Sequence, residues 1–240
     1  MVLDDGADRS GMGRGMVSGA GSSAAARLYD DVRRRIISME IAPDSILSRA
    51  ELAREYGVSL TPVREAIQHL ERDGLVVTFP QSRTVVTRID ASAMFEAHFL
   101  RVSVETEVVR KLAAGRHDDA WRQAGALIRM QESLVGDIDQ IGMFYSLDDT
   151  FHRLLFTEIG HLGIYGLLSG LSGHLARARR LDVPRTEKMQ AVVDEHRAVL
   201  DALLVNDPEG AAEAMRGHLS GTIRRIQALR AAHPNAFIAA

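Results

Sequence analysis

Residues 52–80 read LAREYGVSLTPVREAIQHLERDGLVVTFP, and the spacing inside this run decides the fold. Leu52 and Ala53 fall in a short helix expected over residues 49–56, with Gly57 as the residue that closes it. Val58 and Ser59 make a tight turn. A further helix is expected over residues 62–72. Thr61 stands where it can cap that helix, and Pro62 suits its first turn, where a missing N–H costs nothing. Val63, Ala66, Ile67 and Leu70 form the inward face; Thr61, Arg64, Gln68 and Arg72 form the other. Gly74 closes the helix. Residues 75–79 and 84–87 then read as two strands joined by residues 80–83. Upstream, Leu28, Val32 and Ile36 recur every four residues in a helix expected over residues 25–39, and Pro43 redirects the chain.

Helix, helix, tight turn, helix and hairpin make a winged helix-turn-helix. Its last helix is long enough for a major groove about 12 Å wide. Arg64, Gln68 and Arg72 on the outward face are donors suited to phosphates and base edges. Between Arg27 and Arg88 there are 10 basic and 9 acidic residues, so attraction to DNA requires an asymmetric display of charge. A small structural domain with a solvated arginine face is the alternative at this point.

The whole chain of 240 residues carries a net charge of −3, so it has no global basic field, and any nucleic-acid site is local or doubled by dimerisation. With 0 Cys, disulfide scaffolds, cysteine-ligated metals and catalytic thiols are excluded. The small, glycine-rich residues 1–23 read as a loose tail. Neither a signal peptide nor a membrane span is expected. These features point to a cytoplasmic protein, associated with the nucleoid when on DNA.

Beyond Asp90, placed to cap a helix starting at Ala91, the pattern becomes helical almost throughout. Six helices are expected, over residues 91–114, 118–135, 141–158, 163–181, 185–205 and 208–230, with breaks at Gly115, Gly136, Gly160, Pro184 and Asp207–Pro208. Long helices with short links pack as an antiparallel bundle. The expected fold is therefore mainly α: a tail (1–23), a winged helix with a small hairpin (24–88), an all-helical bundle (91–232) and a C-terminal tail (233–240).

Asp148 and His152 lie four apart, on one helical face. His196 and His218 fall on the fifth and sixth expected helices. One carboxylate and three imidazoles suit Zn²⁺, and equally Ni²⁺, Co²⁺, Mn²⁺ or Fe²⁺. Spacing alone is weak support, because nine histidines allow many accidental combinations. A metal-dependent hydrolase is a second reading of such a cluster. Glu195 adjoins His196, but neighbouring helical side chains point about 100° apart, and no acid–base partner stands out.

Residues 52–80 resemble the DNA-binding domain of the GntR family of bacterial transcription regulators. Gly57, Val58, Ser59, Thr61, Pro62, Val63, Arg64, Glu65, Ala66, Leu70, Gly74 and Leu75 stand at matching positions. The resemblance implies DNA contacts from Arg64 and Ser59. Three positions depart from the pattern. Leu60 replaces a common DNA-contacting arginine, Ala50 replaces a basic residue although Arg49 is adjacent, and Arg83 replaces the wing-tip glycine. Losing a bidentate arginine removes about 1–3 kcal/mol of base discrimination, so a divergent operator is expected.

RVSVETEVVRKLAA (101–114), DDTFHRLLF (148–156) and DEHRAVLDALLVNDPEGAAEAMRGHL (194–219) resemble the FCD effector domain of the FadR subfamily. That resemblance implies that Asp148, His152, His196 and His218 hold a divalent metal, zinc being the nominal choice, with coordination positions open to water or an organic acid. Six helices resemble its VanR-like subdivision. Arg101 and Glu105 match an R-x-x-x-E pattern, and Arg101 is a candidate anchor for a ligand carboxylate. His161, where the family often has Asn, either lines the pocket or caps the next helix. Together these resemblances imply a homodimeric, sequence-specific regulator of palindromic double-stranded DNA, a repressor released by a small organic acid. A purely structural metal is the rival.

Overall fold

The computed structural model describes residues 23–80, 83–182 and 185–239. The tail expected at residues 1–23, apart from Ser23, lies outside them. So do Gln81 and Ser82 of the hairpin loop and the break expected at Pro184.

Ser23 starts the first helix, α1 (Ala24–Ile37), by accepting a hydrogen bond from the Ala26 amide. Leu28, Val32 and Ile36 are buried along one side, as their spacing requires. After a two-residue strand, β1 (Ile46–Leu47), Ser48 caps α2 (Arg49–Glu55). Gly57 then takes φ +62°, the left-handed turn that ends α2 cheaply only for glycine. α3 (Leu60–Arg72) follows, with Val63, Ala66, Ile67 and Leu70 buried. It starts two residues earlier than the sequence suggested. Ser59, not Thr61, holds the N-cap position, and Thr61 and Pro62 both lie in the first turn.

β2 (Val76–Thr78) and β3 (Thr84–Val86) form the antiparallel hairpin, with Val77 opposite Val85, and β1 pairs on the free edge of β3. Two residues are too few for an alternation to show in sequence, so β1 was not expected. The faces of α1, α2, α3 and this sheet close over one core.

The second half opens on α4 (Ala91–Leu112). Asp90 caps it, its carboxylate accepting from the Ser92 and Ala93 amides. Then come α5 (Asp118–Glu132), α6 (Ile141–Glu158), α7 (Leu162–Leu171), α8 (Gly173–Leu181), α9 (Thr186–Leu204), α10 (Pro208–Leu219), α11 (Gly221–Arg224) and α12 (Ile226–Ala232). α10 packs against both α4 and α9, and α5 against α6 and α9. Phe144, Phe151, Leu155, Phe156, Val193 and Met215 fill the space between them. The protein is mainly α-helical, with the small sheet confined to the N-terminal half.

Two of the expected helices are divided. Residues 163–181 break at Ser172, and residues 208–230 break at Ser220 and Arg225. The cause is local. Ser172 donates its hydroxyl back to the Leu168 carbonyl at 2.6 Å, and Ser220 to the Arg216 carbonyl at 2.7 Å. Such back-bonding bends a helix, and a glycine follows each serine to accept the bend. The C-terminal tail also differs from expectation. Phe237 is buried, and residues 236–238 run beside Ile89, which bonds to both Ala236 and Ile238.

The two halves meet at the α7–α8 junction. Gly173 lies so close to Leu75 that an added Cβ would stand 2.7 Å from a leucine methyl. Arg177 is fully buried and donates to the Thr87 carbonyl and hydroxyl and to His174 Nδ1. The Asp90 amide also donates to His174 Nδ1, at 3.0 Å, so the ring proton is on Nε2, towards the Gly74 carbonyl.

Burial, with the neighbouring Arg177, pushes the His174 pKa from 6.5 down to about 4. An exposed histidine in the unfolded chain takes up its proton near 6.5. The contribution of His174 is therefore complete above that pH and is lost as pH falls towards 4, by on the order of 3 kcal/mol. Denaturant unfolding from pH 7 to 4 should show a steeper fall for the wild type than for His174→Gln. Equal slopes would contradict a neutral, docked His174.

Candidate metal centre and DNA interface

Asp148 and His152 on α6, His196 on α9 and His218 on α10 are all buried, and one ligand atom from each lies within 4.8 Å of the others. His218 Nε2 lies 3.0 Å from His152 Nε2 and 3.2 Å from His196 Nε2. Asp148 Oδ1 lies 3.6 Å from His196 Nε2 and 3.9 Å from that of His218.

The outer ring nitrogens show what these inner ones present. Glu105 Oε2 lies 2.6 Å from His152 Nδ1, Gln131 Oε1 2.8 Å from His196 Nδ1, and Glu195 Oε2 3.1 Å from His218 Nδ1. Gln131 and Glu195 each claim an Nδ1 proton and so leave the Nε2 lone pairs of His196 and His218 pointing inward, whereas Glu105 faces His152 Nδ1 at ion-pair distance without hydrogen-bond geometry. Convergent lone pairs repel one another unless a cation lies between them. Protonating the rings instead is costly at this depth: burial, and then the neighbouring His218, lower the His196 pKa well below 6.5, and burial lowers that of His218.

Asp148 supplies the negative ligand. Burial alone would raise its pKa, but the Arg179 guanidinium holds it far below the usual carboxylate range. Arg179 reaches both its oxygens at 3.1 Å. Glu105 behaves alike: against burial, Arg101 and His152 hold it down to about 2. Phe151 stacks on His196 with centroids 4.1 Å apart and fixes the ring plane. The donor set therefore fits a divalent ion of the zinc to manganese range, with side-chain oxygens of Glu105, Gln131 and Glu195 around its outer ring nitrogens.

Sequence had pointed to the four ligands and to Arg101. It had not pointed to the outer partners Gln131 and Glu195, nor to Arg179. Arg101 is bound to Glu105 at 2.6 Å and lines two cavities beside the cluster, of about 560 and 90 Å³. His161 stands exposed at the N-cap of α7, makes no side-chain cap bond and is not among the residues lining either cavity.

In the winged-helix half, Thr61, Arg64, Gln68 and Arg72 are exposed along α3. Among the described residues Arg64 makes no hydrogen bond or ion pair, whereas Arg72 donates to the Gln68 carbonyl. The Ser59 hydroxyl makes no cap bond and stays free beside the α3 N-terminus. Arg49 is half-buried and leans on Thr84, and Arg83 lies over the Phe79 ring.

Residues 24–86 match the family described as bacterial regulatory proteins, gntR family, and residues 96–221 match the FCD domain. The chain belongs to the GntR family. It is 34% identical over 218 residues to a Streptomyces ambofaciens HTH-type transcriptional regulator in an unstable DNA locus, covering 88% of each chain. It is 27% identical over 205 residues to the HTH-type transcriptional repressor RspR of Escherichia coli K12, covering 85% of this chain and 89% of that one. Among solved structures, E. coli McbR/YncC superposes with a TM-score of 0.74 at 15% identity, over 89% of this chain and all of that one. A GntR regulator from Rhodococcus sp. RHA1 gives 0.69 at 21%, over 86% and 99%. The two sequence relatives are named as transcription regulators, and this GntR protein is a DNA-binding regulator with an FCD-type effector domain rather than an enzyme. Among the described residues no helix is long and apolar enough to cross a membrane.

Proposed function

We propose that this chain is a metabolite-responsive, sequence-specific repressor of the cytoplasm, released from a palindromic operator when a small organic acid binds at its divalent metal. One observation carries the reading. Three Nε2 atoms converge with Asp148 while each Nδ1 faces an outer side-chain oxygen, and a cavity of about 560 Å³ opens onto the same cluster. Bound there, the ion would supply a Lewis-acidic attachment point for a carboxylate, and Arg101 lies beside it to neutralise the charge. Zn²⁺ is the nominal choice; Ni²⁺, Co²⁺, Mn²⁺ and Fe²⁺ share the donor preference. The placement within FadR-like proteins is part of this proposal. The six-helix count behind a VanR-like subdivision does not carry over, because residues 163–181 and 208–230 are broken.

A homodimer supports the palindrome, since one short helix reads few base pairs. α4 and α7 pack together and expose Phe95, Phe99, Leu167 and Leu171, apolar surface suited to a second copy. Metal-loaded protein screened with organic acids by thermal shift, followed by operator titration, tests the proposal. Acids should stabilise the wild type, lose most of that effect in His152→Ala, and weaken operator binding. A structural metal is favoured instead if no acid binds, because Asp148 and three histidines alone complete a tetrahedron.

For the DNA face we propose Arg49, Ser59, Thr61, Arg64, Gln68, Arg72 and Arg83. Arg64→Ala should weaken operator binding by roughly 1–3 kcal/mol and relax specificity at one position if it reads a base. A phosphate contact would weaken all DNA alike. Folding should be unchanged, because the side chain is exposed and bonds to nothing else. Unaltered binding across a salt titration would remove Arg64 from the interface.

A further inference from the structure

The cavity of about 560 Å³ that reaches the metal ligands has one wall built by the winged-helix half. Asp148, His152 and Glu105 line one side, and Asp30, Arg33 and Ile37 of α1 line another. Most cations around it already have partners. Arg101 holds Glu105, Arg179 holds Asp148, Arg34 holds Asp31, and Arg33 reaches Asp73 and the Ser169 carbonyl.

Arg180 differs. It lines the same cavity with its guanidinium 4.3 Å over the Tyr145 ring. Among the described residues it makes no hydrogen bond and meets no carboxylate at ion-pair distance. It is half-buried, so its charge is partly stripped of water without an anion in return.

We propose that this cavity receives a dianionic organic acid that bridges the two halves, one carboxylate completing the metal site and the other held by Arg180 beside α1. This rests on the effector reading of the metal cluster and narrows it to a ligand class. A planar guanidinium fork matches a carboxylate in two hydrogen bonds, and here the gain is large because the fork is otherwise unsatisfied. A monocarboxylate satisfies the metal and leaves Arg180 as it was. The cavity is of ordinary size for a small-molecule site. A ligand touching α1 also binds differently when α1 moves, which is the condition for changing DNA affinity.

The test uses the full chain loaded with Zn²⁺. Calorimetry compares α,ω-dicarboxylates from malonate to pimelate with monocarboxylates of equal chain length. The best diacid should bind at least about tenfold more tightly than its monoacid, the worth of one charge-assisted contact. In Arg180→Gln that preference should fall to near one, with metal content and monoacid affinity unchanged. Arg180→Lys should keep part of it. Monoacids binding as well as diacids, or a preference that survives Arg180→Gln, would overturn the inference while leaving the effector site standing. Absence of any carboxylate binding would remove both.

Discussion

His196→Ala should strip the protein of its divalent ion while leaving the helical bundle folded. His196 is fully buried, its outer nitrogen is held by Gln131, and its inner nitrogen lies 3.2 Å from that of His218. Removing an outer partner of a metal ligand typically costs about 10–100-fold in affinity. Removing the ligand itself should cost more, and metal per chain should fall from near one equivalent to below about a tenth. Stability gives a second readout. A ligand at a thousand times its Kd stabilises the folded state by about 4 kcal/mol, so zinc should raise the wild-type Tm markedly and that of His196→Ala hardly at all. Gln131→Leu should fall between them, because the imidazole remains but loses the acceptor that fixes its tautomer. Full metal content in His196→Ala after repletion would end the metal assignment, and equal affinity in Gln131→Leu would show that the outer hydrogen bonds are incidental.

The four ligands could be read in the sequence because Asp148 and His152 share a helical face, and because their pattern with His196 and His218 resembles a known effector domain. What lay beyond reach was pairing across helices. Glu195 stands next to His196, and on one helix their side chains diverge. Its carboxylate instead serves His218, on the neighbouring helix. Gln131, an unremarkable polar residue at the end of α5, becomes the partner of His196 only once α5 packs on α9. The helix breaks had a signal that periodicity hides, since Ser172–Gly173 and Ser220–Gly221 are Ser-Gly pairs inside otherwise continuous helical patterns. Phe237 likewise stands as an apolar residue near the C-terminus, and it is buried with Ile89 and Met94. The winged helix was the most legible part, because α3 carries a full apolar face and two glycines end helices at positive φ.

Arg177→Met should leave the protein folded and metal-loaded but largely deaf to its ligand. α8 has nine residues, roughly 13 Å at 1.5 Å per residue, and touches both halves. At one end His174 and Arg177 bond to Asp90 and Thr87, in the segment that leads from the sheet into α4. At the other end Arg179 clasps Asp148 and Arg180 lines the cavity. α8 therefore joins Asp148 to Thr87 within one short element, beside the ligand contact with α1.

The energetics of Arg177 itself partly offset one another. Burial lowers its pKa from 12.5 to about 10, a cost on the order of 3 kcal/mol, because among the described residues no carboxylate accompanies it and its Nε has no partner. Against that stand hydrogen bonds to Thr87 and His174, each worth roughly 1.5–3 kcal/mol for a charged donor. Methionine restores most of the volume and removes the buried charge together with its hydrogen bonds, so the net loss of stability should be smaller than the hydrogen bonds alone would suggest. Coupling is not offset in the same way: it depends on the contact existing, and methionine cannot bond to Thr87. Metal content and acid affinity should stay within about threefold of wild type, while the change in operator affinity on adding acid should shrink from the typical 5–150-fold towards one. Thr87→Val, which keeps the carbonyl but loses the hydroxyl, should give a partial loss. A full ligand response in Arg177→Met would mean that the signal leaves the metal site by another route, such as ligand contact with α1.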